Sequence, residues 1–223
     1  MGNHILSVES VKNLTHDVLE ITTNKPKNFK FSPGEAANIA INKSGWLKEE
    51  RPFTFTNLPS NNSLEFTIKL YPEKEGVTNE LVLLEKDDEL VLHDVFGSIT
   101  YKGEGVFIAG GAGITPFISI FRSLHAKKEI GKNKLLFANK TKADIILENE
   151  FRTLLGNAFV NILSDEDIEG YHYGMVTEEF LKANVSDFTQ QFYICGPPPM
   201  IKAVQKQLIN LGVTEDQITI EIF

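Results

Sequence analysis

The sequence predicts two domains in one chain. Residues 1–102 read as an antiparallel six-stranded β-barrel, and residues 103–223 as an α/β domain built on a five-stranded parallel sheet. Three observations carry this. The first hundred residues are short alternating apolar segments separated by turn residues. From Gly105 onward, continuous apolar strands alternate with segments of helical spacing. The chain has 223 residues, 42% of them hydrophobic, which is enough for two modest cores without staples.

In the first half, "HILSVES", "VLEITT", "EAANIAIN", "PFTFTN", "SLEFTIKLY" and "DELVLHDVFGSIT" show the alternation or β-rich content of strands. The turns between them are "NKPKN", "SPGE", "NKSG" and "LPSNN". Six such strands suit a small closed barrel. One interruption, "GVTNELVLLEK", has helical spacing and is placed as a plug at one barrel end. In the second half the strands are "GVFIAG", "KLLFAN", "NAFVNILSD", "QQFYICG" and "QITIEIF". The helices between them are "TPFISIFRSLHAKK", "LENEFRTLLG", "TEEFLKAN" and "PPMIKAVQKQLINLG". Strands apolar on both faces need helices on both sides of the sheet. The boundary falls near Tyr101–Gly105.

Charge and cysteine content exclude several classes. The net charge is −8, so a non-specific nucleic-acid or anionic-membrane surface is not expected. Cys195 is the single cysteine, which rules out an intrachain disulfide and any Cys-ligated zinc or iron–sulfur site within this chain; no metal site is expected. "MGNHILSVES" has no basic segment followed by an apolar one, so it does not read as a signal peptide. "MGN" opens like a myristoylation signal, but Val8, Glu9 and the strand-like alternation weigh against one. The apolar run Gly105–Phe121 is broken by glycines and Pro116 and suits a soluble turn better than a membrane span. The expected compartment is cytoplasmic.

Four short stretches carry chemistry. In "GVFIAGGAGITPF", a strand runs through Gly110, Gly111 and Gly113 into a helix that has Pro116 at its start. Such a turn can seat a phosphate against free helix N–H groups, or it can simply pack helix on strand. It is neither G-x-G-x-x-G nor a P-loop. In "YICGPPPM", Cys195 and Gly196 end a strand at the edge where open α/β sheets bind ligands, and Pro197 follows; a buried small hydrophobe is the alternative. "RPFTFTN" places Arg51, Phe53 and Phe55 on one face and Pro52, Thr54 and Thr56 on the other. There Arg51 could grip a phosphate, or the segment is an ordinary strand. "EGVTNEL" reads as a cap, with Gly76, Val77 and Thr78 leading into a short helix that could be a second phosphate seat.

Taken in order, these stretches resemble the ferredoxin–NADP reductase family over nearly the whole chain. The family's flavin motif Arg-x-Tyr/Phe-Ser/Thr matches Arg51–Thr54, and its Gly-x-x-Ser/Thr element is met loosely by Gly76–Asn79. Gly-Gly-x-Gly-x-Thr-Pro matches Gly110–Pro116, and Cys-Gly-Pro-Pro matches Cys195–Pro198. Plant-like members end in Glu-x-Tyr; this sequence closes on Glu221-Ile222-Phe223. Phe53 stands where many relatives have Tyr, so a phenol bond would be missing while ring stacking survives.

The resemblance implies FAD rather than FMN, held between the domains, with NADPH or NADH as substrate. Arg51 would pair with the flavin phosphate, Phe53 would pack on the ring and Thr54 would bond flavin N5. Gly76 and Thr78 would receive the pyrophosphate. Gly110, Gly111, Gly113, Thr115 and Pro116 would cradle the nicotinamide nucleotide. Cys195 and Glu221 would flank the reacting pair, and Phe223 would cover the flavin face. Asn139, Lys140 and Thr141 end the second strand, where a cation favours NADPH and an acid favours NADH; the lysines tip the expectation to NADPH. Asp144 reads as the start of the next helix. With no cysteines for a cluster, the one-electron partner would be a separate ferredoxin or flavodoxin, docking on residues 24–30 or 125–134. Two readings stay beside this one: an NADH-dependent reductase component of an oxygenase or desaturase system, and a non-catalytic flavin-binding subunit.

Overall fold

The computed structural model describes residues 3–71, 76–97 and 99–221. The N-terminal half contains β1 (His4–Thr15), β2 (Val18–Asn24), β3 (Ala36–Ile41), β4 (Arg51–Thr54), β5 (Ser63–Lys69) and β6 (Glu89–Phe96). They form one antiparallel sheet in the order β4-β3-β6-β1-β2-β5. Its two outer strands meet just past β4. Phe55 bridges Phe66, and the Thr56 N–H donates to Glu65 O at 2.9 Å. The sheet therefore closes and its edges are used up. Leu6, Ile21, Ile39, Phe55, Phe66 and Leu92 fill the interior. The plug is real: α1 (Val77–Glu80) and the 3-10 turn Leu81–Leu83 bury Val77 and Leu81 in that core.

The second half contains β7 (Gly105–Gly110), α2 (Thr115–Lys127), β8 (Lys134–Asn139), α3 (Glu148–Leu155), β9 (Phe159–Leu163), β10 (His172–Tyr173), α4 (Glu178–Asn184), β11 (Gln191–Cys195), α5 (Pro198–Asn210) and β12 (Ile218–Glu221). The sheet is wholly parallel, in the order β10-β9-β8-β7-β11-β12. It has six strands where the sequence predicts five. The extra one, β10, is two exposed residues hydrogen-bonded to β9, too short to leave a periodic signal. One face packs Phe107, Ala109, Phe137 and Tyr193 against α2 and α3. The other packs Val106, Ile108 and Ile194 against α4 and α5. Every residue of β7 is buried, as a central parallel strand requires. From β7 the chain first moves out one way, to β8, and later returns on the other side, to β11. A crevice opens at such a switch point, beyond the carboxyl ends of the strands.

Helix α2 lies along the barrel and joins the two halves. Thr115 Oγ1 donates to Thr54 Oγ1 at 3.3 Å, the Gly34 N–H donates to Ser119 Oγ at 3.0 Å, and Arg122 Nη1 donates to Thr56 O at 2.9 Å. Val18 and Ile99, from the first half, are buried in the α2 core. A second link gathers Lys69, Asp17, His16 and Asp144. Lys69 Nζ lies 2.6 Å from Asp17 and 4.0 Å from Asp144, and the His16 ring nitrogen lies 3.7 and 3.8 Å from the same two carboxylates. The Lys69 ammonium already supplies the positive charge these acids call for. The connecting segment is held by Tyr193, whose hydroxyl accepts from the Lys102 N–H and donates to Gly103 O, both at 2.8 Å.

Candidate functional site

Strand register brings four predicted segments to one edge. Cys195 pairs across to Ala109 on β7 and to Glu221 on β12, and Gly110 pairs to Ala138 on β8. Gly110–Gly111, Asn139–Lys140, Cys195–Gly196 and Glu221 therefore all sit at the carboxyl edge, around the switch point. Alternation puts Cys195 on the face of Tyr193, which is the α2 face.

The three glycines of the turn do different jobs. A Cβ on Gly113 would strike the carbonyl of Cys195, and one on Gly110 would strike the Met200 sulfur. These two are packing glycines, as the plainer reading of the turn allows. Gly111 differs: its φ is +51°, and no heavy atom lies within 4 Å of where its Cβ would be. It is a left-handed residue facing open space, which leaves bare backbone for a ligand to approach. The chain then makes a 3-10 turn, Gly111–Ile114, into α2. Thr115 and Pro116 are buried in the first turn of that helix, with Pro116 placed as expected.

Cys195 is fully buried. Burial and then the Glu221 carboxylate push its thiol pKa far up, and the Gly196 N–H offsets this only in part. It is a protonated thiol, not a thiolate nucleophile. Glu221 is itself 2% exposed. Asn139 is buried, and neither its amide nitrogen nor its amide oxygen has a hydrogen-bond partner among the described residues. A buried orphan amide at a crevice suits a polar ligand. Lys140 is exposed next to it.

Asp144 does not open α3. It caps the 3-10 turn Lys142–Asp144, accepting from the Thr141 N–H at 2.9 Å and from Thr141 Oγ1 at 2.8 Å. Two acids that sequence reasoning passed over stand alongside. The Asp165 N–H donates to Lys140 O at 2.9 Å, and Glu166 accepts from the Lys142 N–H at 2.7 Å. They follow β9, and only the sheet order brings them to the end of β8.

The barrel contributes its part through β4. Phe55 is buried and stacks on Phe31, with ring centroids 4.4 Å apart. Phe53 packs against the same core and is half-buried. Thr54 points the other way and meets Thr115. Pro52 is half-buried, and Arg51 is exposed. The Arg51 guanidinium donates to Glu50 O at 2.7 Å and lies 3.5 Å from Glu49. These are surface contacts that a phosphate can displace at little cost.

The cap reading of Thr78 is corrected. Gly76 is the N-cap, Thr78 is inside the helix, and no side chain caps it. The hydroxyl stands two positions past the N-cap, inside the first turn, where it does not reach the orphan N–H groups. With only four residues, α1 also sums little dipole. Gly76 does face open space, with nothing within 4 Å of its Cβ direction. Phe223 lies outside the described residues. The basic segment 125–134 is misplaced for a carrier. It spans the end of α2 and the start of β8, the amino edge of the sheet, opposite the site. Lys27 and Lys30 are exposed on the barrel loop that carries Phe31, while Lys25 is tied to Pro59 O at 2.5 Å.

Comparisons with known proteins point the same way. Residues 4–101 match the family model of an FAD-binding domain, and residues 107–206 match that of an oxidoreductase NAD-binding domain. The reductase component of propane 2-monooxygenase from Mycolicibacterium smegmatis (strain ATCC 700084 / mc(2)155) is 28% identical over an alignment of 235 positions that covers 97% of this chain and 66% of that protein. The xylene/toluene monooxygenase electron transfer component of Pseudomonas putida is 26% identical, over 97% of this chain and 64% of its own length. The chain thus spans just under two thirds of these relatives. Among solved structures, the FAD/NAD-binding domain of nitric oxide dioxygenase from Vibrio cholerae O1 biovar El Tor superposes with a TM-score of 0.88 at 20% identity, covering 98% of both chains. A ferredoxin NADP+ reductase from Neisseria gonorrhoeae gives 0.85 at 19% identity, covering 99% of this chain and 98% of that one. At these identities the structural likeness speaks for the fold. No helix among the described residues is long and apolar enough to cross a membrane.

Proposed function

This chain belongs to the ferredoxin–NADP reductase family, an FAD-binding barrel joined to an oxidoreductase NAD-binding domain, and from that premise we propose that it moves electrons from NAD(P)H to a separate one-electron carrier. The observation that carries the reading is the contact of Thr54 with Thr115. It joins the flavin motif of the barrel to the nucleotide turn of the second domain, at the crevice above Cys195. FAD, when bound, supplies the step from a two-electron hydride to single electrons.

The residues present fit these two groups. The open face at Gly111, the orphan amide of Asn139 and the displaceable pairing of Arg51 each suit a polar ligand. In this assignment Arg51 pairs with the flavin phosphate, and Pro52 and Phe53 line its ring. The Thr54 hydroxyl donates a hydrogen bond to the ring edge. Gly76, Val77 and Thr78 offer backbone and a hydroxyl to the pyrophosphate. Gly111 lets the nicotinamide nucleotide come close over a turn that Gly110 and Gly113 hold tight by packing, and the free N–H groups leading into Thr115 and Pro116 receive its phosphates. Cys195, Gly196 and Pro197 bound the nicotinamide side. Cys195 does this as a neutral, apolar wall that excludes water, and Glu221 sits behind it. Orientation and dryness are what the protein adds.

Asn139, Lys140 and Thr141 face the ribose end. Lys140 favours the extra phosphate of NADPH, and Asp165 and Glu166 oppose it, so the choice is set by that local balance of charge. The carrier, a ferredoxin or flavodoxin, would meet the barrel side near Lys27 and Lys30. A second reading, reductase component of an oxygenase system, is favoured by the relatives at 97% coverage. Anaerobic titration of the FAD-loaded protein with NADPH and then NADH tests the proposal. Bleaching of the flavin by either one supports it. Faster bleaching by NADH selects the oxygenase branch, and a protein that takes up no flavin ends the Arg51–Thr54 assignment.

A further inference from the structure

The Arg122 guanidinium is used on every side. Nε and Nη2 grip both Glu150 oxygens, at 2.6 and 2.8 Å, and Nη1 donates to Glu65 Oε1 and to Thr56 O. Glu150 belongs to α3 in its own domain. Glu65, on β5, and Thr56 belong to the barrel. One planar group therefore ties three elements from two domains.

Its position along the seam gives this meaning. Thr115, Ser119 and Arg122 are spaced four and three residues apart, so they line one face of α2. Each bonds the barrel. Thr115 meets Thr54, and two turns on Arg122 meets Thr56, on the same stretch of chain. That stretch is anchored in turn, since Thr56 Oγ1 donates to Glu65 Oε1 at 2.9 Å. Sliding Thr54 along α2 would require breaking the guanidinium bonds.

We propose that Arg122 is a positioning residue that sets how the barrel strand bearing Thr54 lies against the glycine turn, and so fixes the distance between the two bound cofactors. It lies in neither half-site, so it acts on alignment and not on binding. Displacement by about 1 Å can slow a transfer step by about a hundredfold. Lysine cannot replace it, because a compact ammonium cannot match the planar fork that spans Glu150, Glu65 and Thr56 at once. The consequence for catalysis rests on the function proposed above; the consequence for domain geometry does not.

The two carboxylates separate alignment from stability. Glu65→Gln weakens the pair that crosses the seam. Glu150→Gln weakens the bidentate pair within one domain, and so lowers the melting temperature more. Stopped-flow flavin reduction at saturating nucleotide is expected to fall about tenfold in Glu65→Gln and less than twofold in Glu150→Gln, with nucleotide affinity unchanged in both. Arg122→Lys should fall further than either. Spin labels at Asn62→Cys and Lys127→Cys, read by pulsed dipolar spectroscopy, should show a broadened interdomain distance in Glu65→Gln and a wild-type distance in Glu150→Gln. Rates that follow melting temperature, or equal distance distributions in the two variants, would overturn the assignment. If the wild-type protein is reduced by neither nucleotide, the electron-transfer reading fails, and the distance measurement still decides the role of Arg122 as the seam's clamp.

Discussion

The two halves of the crevice are built differently. The α/β half is made of strand ends in a shared register, with Cys195, Glu221 and Gly113 buried and touching. The barrel half is open: Arg51 is exposed, Gly76 faces space, and α1 is a single turn. A parallel sheet fixes its carboxyl ends by hydrogen bonding, with or without a ligand. A barrel fixes its interior and leaves its outer surface to be ordered by what binds. The α/β half should therefore fail through folding when altered, and the barrel half through affinity.

The largest effect tests the first statement. Gly113→Ala pushes a methyl into the Cys195 carbonyl, a backbone atom that cannot turn aside. The expected loss is about 3 kcal/mol of stability, at the upper end for overpacking, seen as a lower midpoint in urea. Gly111→Ala meets no atom and loses only about 1 kcal/mol, from its left-handed φ. Equal losses would mean the turn is not packed as described.

Arg51→Gln probes the second statement. The guanidinium has only exposed partners, so the flavin-free protein should unfold within about 0.5 kcal/mol of wild type. Flavin affinity should drop about ten- to a hundredfold, the worth of a charge-assisted phosphate contact. A destabilised apoprotein with unchanged flavin affinity would assign Arg51 to the fold instead. Lys140→Glu is the milder probe of the ribose end. It should move the NADPH-to-NADH preference roughly tenfold toward NADH, about 1.4 kcal/mol. No change in that ratio would place the ribose elsewhere.

The same contrast explains what could be read from the sequence. Strands buried on both faces and helices with Pro starts announce themselves by period and punctuation, so the α/β half and its glycine turn were legible from Gly105 to Glu221. Within the turn, the role of each glycine was not, because it depends on Met200 and Cys195, which arrive from the far end of the chain. Residues such as β10, Asp165 and Arg122 depend on sheet order or on partners up to 66 positions away, and local pattern carries no trace of them. Thr78 failed for a geometric reason. Capping is a matter of one position, and a Gly–Val–Thr stretch offers two candidates for it. The basic run at 125–134 failed because composition cannot say at which edge of a sheet a loop lies.

The last prediction concerns Cys195, and its sign follows from burial. A thiol ordinarily ionises near pH 8.5. Burial and the Glu221 carboxylate raise this in the folded state. The unfolded chain therefore sheds the proton first as pH rises. The stability contributed is fully present below about pH 8.5 and is lost progressively above it, by about 1.4 kcal/mol per pH unit from this one group. Urea unfolding of the apoprotein between pH 8 and 10 should show that slope, and Cys195→Ala should flatten it while lowering the whole curve through its small cavity. The thiol should also resist alkylation at pH 8 until the protein unfolds. If it reacts in the folded protein at the rate of a free cysteine, the α/β half is not the closed, preformed structure that separates it from the barrel half.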